Sequence, residues 1–343
     1  MPKQDPKIHH YIPQFILRFF VNDGGRLLFC DNLKQKYYYQ PKKNIFKKDC
    51  LYKDDTFLED PFEVEKSLSK FESDLQPLFF KICKETTIKV SRIEMERLRI
   101  FMSLLSFRSL LRNHQYSQEE FSKETKITID KVSKDLDYVS FWKKEISVLS
   151  KCRSYEDIYN CVDVDEAIKK EFLSDIESFY MTIVEARGSE FVLPDVCPAL
   201  EQYYCEGEIY VLHQIFPISP KRAILLNSVA FRNDNKKFLD SKIKSMLNKS
   251  RIKDNAIVAP KNKYKYSMQY HNNQDIFTYR VLLLYKATVN YINYLLLNES
   301  ITGFVTTDRK ILKNIIESYQ AEELPKKNDY SLVYADIIKN VLY

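Results

Sequence analysis

Apolar side chains recur at Leu68, Phe71, Leu75, Phe79 and Ile82, a three-and-four spacing that predicts a helix over about 62–84 with one buried face. Pro77 lies inside the pattern and should kink or interrupt it, because proline removes a ladder donor and crowds the preceding turn. Ser91 followed by Glu94 forms a Ser-x-x-Glu capping box, so a second helix is expected from Ser91 to about Arg112. Before these, residues 11–21 predict a short amphipathic helix, Asn22-Asp23-Gly24-Gly25 a hairpin-type turn, and 26–30 and 36–40 two strands joined through Asp31-Asn32. Residues 117–187 predict a third, mostly helical stretch closing at Gly188. Short apolar runs punctuated by Pro194, Pro198, Pro217 and Pro220 then make 190–231 a set of strands and ordered loops. Helix should return at about 238–249 and at 275–298, the latter apolar on both faces and so buried on all sides.

Five glycines in 343 residues leave few positions for tight left-handed turns, which disfavours an all-β fold of hairpins. The expectation is an α+β fold, predominantly α-helical, with a small β layer formed by the N-terminal strands and the 190–231 segment. Residues 1–320 are expected to form one domain with a helical insertion around 117–187, followed by a charged tail and short C-terminal helix over 321–343. Hydrophobic residues at 45% and charged residues at 29% give the balance of a chain that can bury a core.

Charge adds little globally: 53 basic against 47 acidic residues leave +6. Locally, residues 34–48 hold six lysines with no acid before Asp49, and Tyr37, Tyr38 and Tyr39 sit among them. Lys36, Lys42, Lys43, Lys47 and Lys48 could track a phosphate backbone while the rings stack on bases; a solvated strand and loop in a Lys- and Tyr-rich chain is the plainer account. The seven cysteines form no C-x-x-C pair and have no histidine at a zinc-ligand offset, so they are expected to be reduced thiols. Neither a secretory h-region nor a membrane span is legible, since Arg18 interrupts 16–21 and Lys286, Asn290 and Asn293 interrupt 281–297. A cytoplasmic location follows as the expectation.

Candidate chemistry is sparse. The helix from Ser91 carries Leu98, Phe101, Leu105, Arg108 and Arg112 on one stripe, so two guanidinium groups continue an apolar face. An inward Arg cannot be deprotonated and predicts a carboxylate partner. Glu72, on the buried stripe of the preceding helix, is one candidate. Asp195, at the end of the apolar run Phe191-Val192-Leu193-Pro194, is another, with an Asx-type loop hydrogen bond as the structural alternative. Pro13 forces Ile12 to be extended, so His10 should be held just outside the first helix as a base, a ligand or a backbone cap. His9 is expected to face solvent.

The run His9-His10-Tyr11-Ile12-Pro13-Gln14-Phe15 with Leu17-Arg18-Phe19-Phe20 resembles the opening pattern of the bacterial "domain of unknown function 4238" family. Lys42-Lys43-Asn44-Ile45 with Cys50-Leu51-Tyr52, Phe71-Glu72, Phe107-Arg108-Ser109, Phe216-Pro217-Ile218-Ser219-Pro220 and Asn293 resemble later pieces of it, in the same order. Pro194-Asp195-Val196-Cys197-Pro198 is similar to a pattern closer to Ser-Asp-Asn-Pro, with Pro194 and Val196 in place of the usual Ser and Asn. Members resemble, by association, single-gene antiphage defence proteins, which implies an abortive-infection effector.

Two readings of function follow. In the first, the effector hydrolyses nucleic acid through His10, Glu72, Arg108 and Asp195; such a residue set also suits a divalent metal. Pro194-Asp195 invites comparison with Pro-Asp…Glu-x-Lys nucleases, but Glu206-Gly207-Glu208 puts Glu where the Lys should stand. His10-Tyr11-Ile12-Pro13 with Gly24-Gly25 and Asn32 matches only the front half of an HNH motif. In the second, a non-enzymatic sensor recognises a phage component or nucleic acid and the polar residues form a structural network. A nucleotide-dependent enzyme has no Gly-rich phosphate loop to support it. Convergence of His10, Glu72, Arg108 and Asp195 on one pocket separates the readings.

Overall fold

The chain starts with strand β1 (Ile8–His10), helix α1 (Gln14–Leu17), a 3₁₀ turn (Arg18–Phe20) and the hairpin β2 (Leu27–Asp31) and β3 (Lys36–Gln40). The computed structural model describes residues 8–55, 60–133, 136–164, 166–205, 208–229, 247, 252, 254–260 and 272–341. At the expected turn the Arg26 amide donates to Asn22 Oδ1 at 3.1 Å. A second 3₁₀ turn (Lys42–Asn44) leads into β4 (Lys47–Asp49), which pairs antiparallel with β1, His9 opposite Lys48 and His10 opposite Lys47.

Helix α2 (Glu63–Lys84) buries the stripe read from the sequence and runs on through Pro77 without interruption. After β5 (Thr87–Ser91), the capping box starts α3 (Arg92–Phe107), with Ser91 accepting from the Glu94 amide and the Glu94 carboxylate accepting from Ser91 N–H. The helix expected to reach Arg112 breaks at Arg108. Ser109 caps a new helix there, α4 (Leu110–Ser117), by accepting from the Arg112 amide. Next come α5 (Lys123–Ser133), α6 (Tyr138–Lys151), α7 (Tyr155–Asn160) and α8 (Glu166–Glu177), followed by β6 (Phe179–Ala186), β7 (Leu193–Pro194), β8 (Ala199–Cys205), β9 (Glu208–Pro217) and β10 (Arg222–Ser228). The chain closes with β11 (Ile257–Ala259), β12 (Ile276–Arg280), β13 (Leu282–Leu284), α9 (Lys286–Glu299), β14 (Gly303–Thr306), α10 (Arg309–Ala321) and α11 (Ser331–Val341).

These strands form four sheets: β1-β4, β3-β2-β14-β7, β11-β12-β5, and β13-β6-β10-β9-β8 with β13 parallel to β6. The expectation of a predominantly helical fold with a small β layer is therefore overturned. The protein is mixed α/β, with 47% of the described residues helical and 24% in strands. Residues 179–186, expected as the end of a helical stretch, are a central strand, and 275–298 is two strands before its helix. The helix expected at 238–249 lies outside the described residues, apart from the helical Leu247.

The misreading of 179–186 has a physical cause. Strands of the two larger sheets send alternate side chains into different cores. Ile224 and Leu226 join one with α2, α3 and α6, while Ala223 and Leu225 join the other with α9, α10 and α11. A strand buried on both faces is a continuous apolar run, which periodicity cannot tell from buried helix. Scarce glycine misled as well, because Gln35, Phe46 and Cys50 take positive φ where glycine would be usual. Tyr330, Val333 and Ile337 bury in the second core, so the segment after Ala321 is packed onto the fold. No described helix is long and apolar enough to cross a membrane.

At Gly303, β14 approaches β2 closely. A Cβ added there would lie 2.1 Å from the Cys30 carbonyl oxygen and 2.7 Å from the Phe29 ring. Backbone cannot yield as a side-chain tip can, so Gly303→Ala should cost at least ~1–3 kcal/mol. A thermal melt of the variant superimposable on wild type would refute this close approach of β14 to β2.

Candidate functional site

Arg108 is the centre of the polar cluster. It ends α3 at 1% exposure, and its carbonyl accepts from the Tyr52 hydroxyl at 2.6 Å. One guanidinium nitrogen donates to Glu72 Oε1 at 2.5 Å and another to the backbone carbonyl of His10. The guanidinium also stands 5.6 Å from the centroid of the Tyr52 ring. One cation thus ties α2, α3 and β1 together. Of the two acids considered from sequence, Glu72 and Asp195, Glu72 is the partner found, and its side chain keeps 19% of its exposure.

Beside this ion pair is a cleft of about 240 Å³, bordered by Gln14, Arg18, Lys42, Ser69, Glu72 and Gln76. The Gln14 amide nitrogen lies 3.4 Å from each ring nitrogen of His10. His10 is half-buried, and burial, reinforced by Arg108 and Lys47 and opposed by a backbone hydrogen bond at Lys43, lowers its pKa to about 4. Its imidazole is neutral at pH 7.

His9 reverses expectation. It is fully buried at 0% exposure, stacked on Tyr52, and its Nδ1 accepts from the Tyr52 amide at 2.9 Å. The alternation of a strand explains this: His9 and His10 point to opposite faces of β1, and the inward one is set by the Tyr52 contact.

Asp195 does not share the cleft. It is 3% exposed and accepts from the amides of Ile301 at 2.9 Å and Thr302 at 2.7 Å and from the Thr302 hydroxyl at 2.7 Å. Burial raises its pKa while those donors pull it back. Its carboxylate shapes the turn into β14, a long-range structural role in place of the local Asx-type hydrogen bond weighed for it from sequence. Thr302 borders a neighbouring cleft of about 290 Å³ with Tyr11, Asp31, Asn44 and Lys47. Asp195 therefore stands behind the wall of a second cleft, and the four expected residues do not converge on one pocket.

The lysines divide similarly. Lys42 borders the first cleft and Lys47 the second, with Lys43 exposed between them. Lys48 donates to Asn113 Oδ1 at 2.9 Å, and Lys36 stands exposed on β3 opposite Asp31. The tyrosines are partly engaged: Tyr38 donates to Asp31 Oδ2 at 2.7 Å, and Arg309 stacks 5.7 Å over Tyr37.

Glu65 was missed. It lies seven residues, two helical turns, before Glu72 on α2, and burial pushes its pKa up to about 7, against the pull of Arg108 and with the push of Glu72. Its Oε2 has no hydrogen-bond partner among the described residues. The signal available was its spacing from Glu72, which places both carboxylates on one helix face. Among the described residues no three His, Cys, Asp or Glu side chains gather as metal ligands, and Glu206 and Gly207, compared with a nuclease motif, lie outside the described residues.

The remaining motif residues hold junctions. Ser219 accepts from the Arg222 amide at 2.9 Å in the β9–β10 turn. Asn293 accepts from the Val192 amide at 3.1 Å and donates to the Glu190 carbonyl at 2.7 Å.

Fold and site together define a mixed α/β protein with a His/Glu/Arg cluster at the junction of a helix pair and a two-stranded ribbon. The chain belongs to the family described as "Protein of unknown function (DUF4238)", whose model matches residues 8–311. No curated protein and no solved structure matches it.

Proposed function

We propose that this protein is an antiphage defence effector that grips a nucleic-acid backbone over the Lys42–Lys48 turn and hydrolyses it at the His10 edge of the Glu72 cleft. The observation that supports this is the setting of His10: a half-buried imidazole, neutral at pH 7, opposite Lys47 in the β1–β4 pairing and beside Gln14, which with Lys42 borders the Glu72 cleft. Lysines draw in phosphates, and a neutral imidazole accepts a proton. His10 takes the proton of a water whose oxygen bonds to phosphorus; the P–O bond to the leaving sugar breaks, that oxygen takes a proton from solvent water, and His10 returns its proton to solvent. Arg108 and Glu72 act as positioning residues, Arg108 by holding the backbone of His10.

End-labelled single-stranded RNA, single-stranded DNA and duplex should be tested with the purified chain. His10→Ala should lower cleavage by ~10²–10⁴ with the fold intact. Because the His10 pKa is about 4, the acid limb of the rate should fall near there and not near 6.5. Failure to cut any of the three substrates, or equal cutting by His10→Ala, overturns the hydrolytic reading.

A second reading, a non-enzymatic sensor, is favoured by the failure of His10, Glu72, Arg108 and Asp195 to converge on one pocket and by the saturation of Arg108 and Asp195 by protein groups. It gains if His10→Ala still protects infected cells while Lys42→Glu with Lys47→Glu does not.

A further inference from the structure

At the Asn44 end of the Lys42–Asn44 turn, the cleft of about 290 Å³ presents an aromatic surface that hydrolysis at His10 does not use. Its apolar side is made by Tyr11, Phe29, Phe46, Leu33 and Leu110. Phe29 on β2 is half-buried, and Tyr38 and Phe46 meet its ring edge to face with centroids 5.8 and 5.9 Å away. Gly303 backs the same ring, since a Cβ there would come within 2.7 Å of it. The ring is thus fixed before any ligand arrives, and a fixed aromatic ring is a surface on which a base stacks. A volume at the small end of ligand pockets admits one ring system but not a base pair.

Charge in this cleft comes from Lys47. Asp31 also borders it, but its carboxylate is occupied: it accepts from the Tyr38 hydroxyl at 2.7 Å and from the amides of Leu33 and Lys34 at 3.1 and 2.9 Å. Lys42, Lys43 and Lys47 form no ion pair among the described residues, so their ammonium groups remain open to phosphates. Lys47 stands opposite His10 in the β1–β4 pairing, and Tyr11, the next residue after His10, borders the cleft. The aromatic surface and the His10 edge are therefore joined through adjacent residues, the arrangement that a base and the neighbouring phosphates of one strand require. The uncharged Asn44 and Thr302 complete the border, and a stacking ring takes any base by its π-face.

We propose that this cleft seats one unpaired base of a single-stranded nucleic acid against Phe29, with the adjoining phosphates on Lys47 and Lys42. It rests on the nucleic-acid reading of the Lys42–Lys48 turn and names the substrate class, because a paired base cannot leave its stack to enter.

Fluorescence anisotropy with the full-length His10→Ala chain tests this without cleavage of the probe. The probes are a labelled oligothymidylate, an abasic oligomer of the same length and a duplex. The oligothymidylate should bind at least about fivefold more tightly than the abasic strand, the low end of what one stacked base contributes, and more tightly than the duplex. Adding Phe29→Leu keeps an apolar side chain and removes the ring, so it should shrink the preference over the abasic strand to under about twofold while abasic binding holds. If that variant melts below its parent, Leu33→Asp at the 75%-exposed mouth takes its place and should reduce the same preference. No binding, equal binding of thymidylate and abasic strands, duplex binding as tight as single-stranded, or a preference untouched in the folded variant would each overturn the pocket. Base preference without any cleavage by the wild-type chain would uphold the pocket and sink hydrolysis; cleavage without base preference would sink the pocket alone.

Discussion

Arg108→Met should destabilise the fold by about 3–5 kcal/mol, as expected when one partner of a buried ion pair is removed. Its guanidinium joins Glu72 on α2 to the His10 carbonyl on β1, so the loss falls on three elements at once. Glu65 and Glu72 would then face each other's charge without a cation. Arg108→Lys should recover only part of the loss, because a single ammonium cannot reproduce a fork that reaches both partners.

The pH dependence distinguishes this account from simple loss of packing. Glu65 has a pKa raised to about 7 by burial, above its unfolded value near 4.5. Its charged form is therefore disfavoured in the fold, and stability rises as pH falls from about 7 toward 4.5. Without Arg108 both carboxylates should prefer protonation more strongly, so the variant should lie closest to wild type near pH 5 and furthest from it near pH 8. Urea denaturation at those two pH values checks this. A deficit under 1 kcal/mol at pH 8, or one independent of pH, would remove Arg108 as the keystone of the cluster.

Asp195→Ala should cost on the order of 3 kcal/mol or more, since charge-assisted hydrogen bonds contribute ~1.5–3 kcal/mol each and their buried donors would be left unpaired. The amides of Ile301 and Thr302 both point at this carboxylate, along with the Thr302 hydroxyl. Asp195→Asn keeps one accepting oxygen and should be milder. The consequence for function is direct: loss of phage resistance in Asp195→Ala, taken alone, would report a misformed turn before β14. Infection assays with this variant need a melting curve beside them. An Asp195→Ala protein that melts with wild type and has lost protection would instead return Asp195 to the active site.

Local chemistry in the chain determined a good deal. The apolar stripe of α2, the Ser91–Glu94 capping box, the turn at Asn22–Gly25 and the strands 27–31 and 36–40 form much as read, because each depends on neighbours within a few residues. That Arg108 needs an acid was legible too, since an inward guanidinium must find one, and Glu72 was one of the two acids it pointed to. Membership of the family was carried by the opening His9–Phe15 run and the motifs after it.

Tertiary structure alone decided the rest. Strands such as Phe179–Ala186 read as apolar runs because a core lies on each side of them, which is a fact about distant helices. The burial of His9, expected to face solvent, rests on the contact with Tyr52, more than forty positions later. Separation of Asp195 from the other three candidates rests on the 300–302 turn, over a hundred residues downstream. Sequence spacing reports what shares a face within one element. Which elements close around which face is set by long-range packing, and there the site residues were sorted into a basic-edged cleft and a structural turn.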